Sequence, residues 1–245
     1  MGVRLLRFSP CPKRARPTRS ARRALWATPP TYAADMAAHL VPDDAPEDFQ
    51  RALESLRAAR VRAEVVLDEA PAPQRIAPYA VALTADVLAP LTGPPALDDD
   101  REELATGRFV LLHDPSAPEP WGGTFRAVTF VRAELEPELG SDPMLADVGW
   151  SWLLDALAGR GAAFSHEGGT VTRVLSQSFG ALADRPGSVE IELRASWTPH
   201  DLPQPGRVAS PDLGPHVLAW TDLLCTVAGL PPLPDGVTAL RTRRH

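Results

Sequence analysis

The chain has 245 residues, 44% of them hydrophobic, which suffices for one core and at most a small appendage and excludes a disordered polymer. Its formal charge is −6, but residues 1–23 carry eight of the 25 bases and no acid, so residues 24–245 hold 17 bases against 31 acids, net −14. A body of that charge repels phosphate backbones, which argues against nucleic-acid binding except through residues 1–23.

Residues 1–43 read as a disordered basic arm, and Met36, just before the first periodic segment, is a second candidate translation start beside Met1. Arg22 and Arg23 precede ALWATPPTYAAD, whose prolines and aspartate interrupt any apolar signal core, and no run of about 18 apolar residues exists to span a membrane. Cys11 and Cys225 form neither a disulfide framework nor a zinc spacing, so a reducing, cytoplasmic location is expected. Lys13 is the one lysine against 24 arginines, which weakens any catalytic role for lysine.

Asp44 and Glu47 are spaced as a capping box, and Phe49, Ala52, Leu53, Leu56 and Ala59 form one stripe, so a helix is predicted over 46–60. EVVL and YAVAL follow as strands on either side of a proline-rich loop. Residues 86–106 read as a solvated loop or short surface helix, in which Asp98, Asp99 and Asp100 lack the spacing of a calcium loop. FVLLH is a third strand, and residues 124–136 a fourth. That fourth strand presents Phe125, Ala127, Thr129, Val131, Ala133 and Leu135 on one face and Arg126, Val128, Phe130, Arg132 and Glu134 on the other.

SDPMLADVGWSWLLDALAGRG reads as a helix whose polar stripe is only Asp147, Ser151 and Asp155, so it is expected to be largely buried. A hairpin follows, TVTRVLSQSF and VEIELRASW, with Val189, Ile191, Leu193, Ala195 and Trp197 turned inward. Residues 199–211 form a proline-rich loop and 213–229 the last helix, ended by Gly229 and Pro231. The order α-β-β-β-β-α-β-β-α predicts an α+β fold, an antiparallel sheet of about six strands with helices packed on it. One domain over 44–232 and a disordered tail over 233–245 complete the organisation. No GxGxxG or GxxxxGK[ST] segment is present, and no cofactor or metal is expected.

The blocks PAPQRIAPYA (71–80), GRFVLLHDP (107–115), WGGTFRAVTFVRAELEPE (121–138), WSWL (150–153), GTVTR (169–173), RASWTP (194–199) and LLCTVAGLPP (223–232) resemble the actinobacterial family called domain of unknown function 3000. The resemblance covers about residues 45–232 and implies an actinobacterial cytoplasmic protein. It carries no activity, cofactor or catalytic residue.

Two function classes are weighed on the residues alone. A non-catalytic binding or adaptor protein fits the lack of any complete catalytic motif, its interaction surface being Arg126, Val128, Phe130 and Arg132, where two guanidinium forks surround an apolar centre. Its partner is an unknown protein or a second copy. The alternative is a small-molecule hydrolase or metal-dependent enzyme using His113 and Asp114, with Glu134, Asp147 or Asp155 completing the cluster. Against it stands the reading of HDP as a strand-ending turn. Ser165 and His166 are adjacent on a strand and are expected to point apart, and His200 falls in a loop. His216 reads as a structural imidazole and Cys225 as an inert, buried or half-buried thiol. The five tryptophans at 121, 150, 152, 197 and 220 read as core builders.

Overall fold

The computed structural model describes residues 45–73, 75–90, 101–200, 210–230 and 232, all within the unit Leu40–His245. The expectations for residues 1–43, for Asp98–Asp100 and for 233–245 lie outside the described residues.

Helix α1 spans Glu47–Ala58 and enters from Pro46 with no side-chain cap; Glu47 and Asp48 complement the positive end of its dipole. Phe49, Ala52, Leu53 and Leu56 are its buried stripe. Six strands follow: β1 Val65–Ala70, β2 Tyr79–Leu88, β3 Glu103–His113, β4 Phe125–Leu135, β5 Phe164–Ser176 and β6 Ser188–Pro199. All neighbouring pairs are antiparallel, in the order β1-β2-β3-β4-β6-β5, so β1 and β5 are the sheet's edges. Helix α2, Leu145–Gly159, precedes the β5–β6 hairpin, and α3, Gly214–Val227, follows it. The fold is the α+β arrangement of a six-stranded antiparallel sheet and three helices that the sequence order predicts.

The period of two decides which residues meet the helices. Ala127, Val131 and Ala133 of β4 and Ile191, Leu193, Ala195 and Trp197 of β6 lie in one core with Phe109, Leu111 and the buried residues of all three helices. The helices therefore share one face of the sheet. A small second cluster on the other face gathers Ala82, Val110 and Leu112 beneath Ala72, Ala77 and Trp121. Trp197 and Trp220 are wholly buried, Trp150 and Trp152 flank the main core, and Trp121 belongs to the smaller cluster.

Two expectations need correction. Residues 86–88 and 103–106, read as loop or surface helix, are the end of β2 and the start of β3; α3 presses close at Gly107, where a Cβ would meet Leu224 Cδ2 and Phe130 O at 2.9 Å. The helix expected to be largely buried, α2, buries only the stripe Leu145, Gly149, Leu153 and Leu157. The central helix is α3, which packs on β2, β3 and β4 and against both other helices, burying even His216 and Thr221. Both helices are apolar almost all round, so composition does not say which lies at the centre and which at the margin.

Candidate functional site

His113 ends β3 in an aromatic enclosure. Its ring centroid is 4.3 Å from that of Phe125, 5.5 Å from Phe49 and 5.9 Å from Tyr79, and the side chain is wholly buried. Asp48 Oδ1 lies 3.4 Å from Nε2. Burial holds the imidazole pKa below its ordinary value, against the opposing pulls of Asp48, a Thr124 backbone hydrogen bond and Asp114. Asp114 turns elsewhere: its Oδ1 accepts the Ser116 N–H at 2.9 Å, and hydrogen bonds from Ser116 lower its pKa. Glu134 pairs in register with Glu190 toward the opposite end of β4, and Asp147 and Asp155 lie on the exposed side of α2. The structure does not bring these carboxylates to His113.

On the helix-free face, Phe130 pairs in register with Arg108 of β3 and Arg194 of β6. The Arg194 guanidinium sits over the half-buried Phe130 ring, 5.2 Å from its centroid. Arg132 Nε donates to Glu190 at 2.9 Å and stays half exposed. Arg126 is committed within the fold, donating to Thr198 Oγ1, Ser196 Oγ and the His166 carbonyl at 3.0, 2.7 and 2.8 Å. Val128 packs against the smaller apolar cluster. Of the four residues read as an interaction surface, Phe130 and Arg132 thus lie beside Arg194 in the open region, while Arg126 and Val128 serve the fold.

A third grouping escaped the sequence reading. Ser165 Oγ lies 2.7 Å from His166 Nδ1 and 2.6 Å from His200 Nε2. Neighbours on a regular strand point apart, but His166 has φ +53° within a bulge between Ser165 and Gly168, and this turns its ring back onto Ser165. Gly122, at φ +67°, makes room for that ring, which a Cβ would overlap. His200, expected in a loop, directly follows β6 and donates its backbone N–H to the Ala163 carbonyl at 2.8 Å. Only a positive φ at a non-glycine residue builds this cluster, and no sequence pattern announces one.

His216 and Cys225 are structural groups. Trp197 Nε1 donates to His216 Nδ1 at 3.1 Å, which requires a neutral ring with its proton on Nε2, and burial depresses its pKa to about 4. Burial likewise raises the Cys225 thiol to about 11, removing thiolate reactivity. Among the described residues no group of three or more His, Cys, Asp or Glu side chains could hold a metal ion, and no helix is long and apolar enough to cross a membrane.

These features define an α+β protein with an all-antiparallel sheet, helices on one face and polar side chains interleaved with Phe130 on the other. A family described as Protein of unknown function (DUF3000) matches residues 45–238, and the chain belongs to that family. No curated protein and no solved structure matches the chain.

Proposed function

We propose that this chain is a non-catalytic binding protein of the actinobacterial cytoplasm, which holds a protein partner on its helix-free sheet face. The observation that carries this reading is Phe130, set between Arg108 and Arg194 on a face where no described helix lies. Arg194 and Arg132 expose 67% and 48% of their side chains, so two planar donors can turn outward around an aromatic anchor. The matching partner surface is an apolar side chain flanked by carboxylates. A single partner retained by the immobilised wild-type chain and lost with Phe130→Glu, whose circular dichroism stays native, supports the reading. Capture of the same proteins by both chains overturns it.

A second reading, hydrolytic acyl transfer, is favoured by Ser165 Oγ lying between two imidazoles. In this chemistry Oγ attacks an ester carbonyl, its proton passes to His200 Nε2, and the leaving alkoxide takes that proton. Water then repeats the sequence in reverse and restores Ser165. Diisopropyl fluorophosphate reports the nucleophile directly, since an Oγ–P bond replaces the P–F bond. Adduct on the Ser165 peptide, absent in Ser165→Ala and at least about tenfold slower in His200→Gln, is the expected result. An unmodified Ser165 beside a labelled control protease sinks this reading.

A further inference from the structure

We infer that β5 is a self-association edge, on which a second copy of this chain adds its own β5 in antiparallel register. This stands independently of the binding surface around Phe130.

The first observation is the contrast between the sheet's two edges. Exposed edge strands are ordinarily kept short, charged or proline-flanked, because unpaired N–H and C=O groups template further pairing. β1 obeys: it has six residues, includes Asp68 and Glu69, and runs into Pro71. β5 has 13 residues and no proline, and Arg173 is the one charged residue in 168–176. Its other edge pairs with no strand among the described residues. The bulge between Ser165 and Gly168 interrupts its first turn of ladder, but pairing with β6 from Gly168 to Ser176 is regular.

The second observation is where apolar surface is exposed. Among the described residues, the exposed large hydrophobic ones are Ile76, Leu139, Met144, Val174, Leu175, Phe179 and Leu182. All but Ile76 belong to the end of β5, the connection after it, or the segment 139–144, which Arg173 ties to β5 through its 2.8 Å bond to the Asp142 carbonyl. Phe179 is 76% exposed and Leu175 53%. Apolar side chains concentrated at one corner mark an interaction surface rather than the scattered exposure of an ordinary monomer.

The occupant follows from how this strand fits itself. An antiparallel twofold pairing centred on Thr172 sets Arg173 opposite Val171 of the other copy, so no like charges face each other, and Thr170 opposite Val174. It also sets Leu175 opposite Gly169. The Trp150 ring lies against Gly169 on the helix-covered side of the sheet, the side that Leu175 shares with Val189. Leu175 of each copy thereby gains an aromatic surface at a position where glycine leaves room. Main-chain bonds along β5 supply the affinity and this contact the register.

Size-exclusion chromatography with light scattering at micromolar concentrations should give twice the 26.4 kDa chain mass. Leu175→Glu, and Thr172→Lys on the opposite side of the same strand, should each weaken the dimer by at least about tenfold while leaving the monomer folded. Phe130→Glu should leave the dimer intact, which separates this surface from the one proposed above. Hydrogen exchange should show amides in 170–176 more protected in concentrated than in dilute protein. A monomeric wild-type chain, a dimer indifferent to both β5 variants, or a dimer without that added protection each overturns the inference.

Discussion

On its helix-covered face, β4 and β6 set Ala127, Val131, Ile191, Leu193 and Trp197 at 0–1% exposure. One residue along the same strands, the other face presents Phe130, Arg132, Glu190, Glu192 and Arg194. The two faces share every backbone hydrogen bond, so their difference lies in what the side chains contribute. Inside, each large apolar residue contributes the free energy of leaving water, with a further loss if a cavity opens. Outside, stability comes from pairs such as Arg132 with Glu190 and Arg194 with Phe130, each worth a fraction of that. The outer face can therefore change its residues, and its partners, at little risk to the fold.

Three substitutions test this division, taken from the largest effect. Ile191→Asp places an unpaired carboxylate in the main core and should lower stability by more than about 4 kcal/mol or abolish folding. Glu192→Ala, its neighbour on the outer face, should stay within about 0.5 kcal/mol. Thermal melts of the pair decide the matter, and equal effects would erase the distinction between faces.

Acidification gives the next effect, because His216 belongs wholly to the inner side. Its folded pKa, about 4, lies below the ordinary 6.5, so the unfolded chain binds the proton first. Above pH 6.5 the group contributes no pH dependence; as pH falls below that, stability is lost, by about 2 kcal/mol at pH 5. His113 is shifted in the same direction and adds to the slope. Urea unfolding at pH 7 and pH 5 should show the loss, and His216→Gln, which retains an acceptor for Trp197, should reduce it. A variant as acid-sensitive as the parent would assign the slope to other groups.

Arg194→Ala, on the outer face, should cost only about 0.5–1 kcal/mol, from losing its contact with Phe130. A loss above about 2 kcal/mol would show that the outer face also carries the fold.

Much of this architecture was legible because a two-residue period leaves a clear trace where one face is dry. On that ground alone the two faces of β4 separate and the inward residues of β6 stand out. The start of β3 leaves no such trace, since its inward residues there are Ala105 and Gly107, the latter held to glycine by the approach of Leu224, and small residues carry little hydrophobic signal. The first part of β5 lacks that trace, because its SHEGG segment is polar and glycine-rich and carries no apolar alternation. Phe130 could be placed on the outer face, but its cap, Arg194, comes from a strand 64 positions later in the chain, and pairing register alone brings them together. Ser165, His166 and His200 were beyond reach for a stronger reason: their meeting depends on one dihedral angle at His166.

The position of α3 has a consequence for the order of folding. Every strand precedes it in the chain, yet its residues cover β2, β3 and β4 at the centre of the sheet. During synthesis the sheet's apolar face must wait, exposed, for Leu213 through Val227 to emerge, so this chain should fold late and all at once rather than progressively from its N-terminal end. Nascent chains cut before residue 213 should be protease-sensitive and prone to aggregate, and supplying the missing helix as a peptide should rescue them only in part.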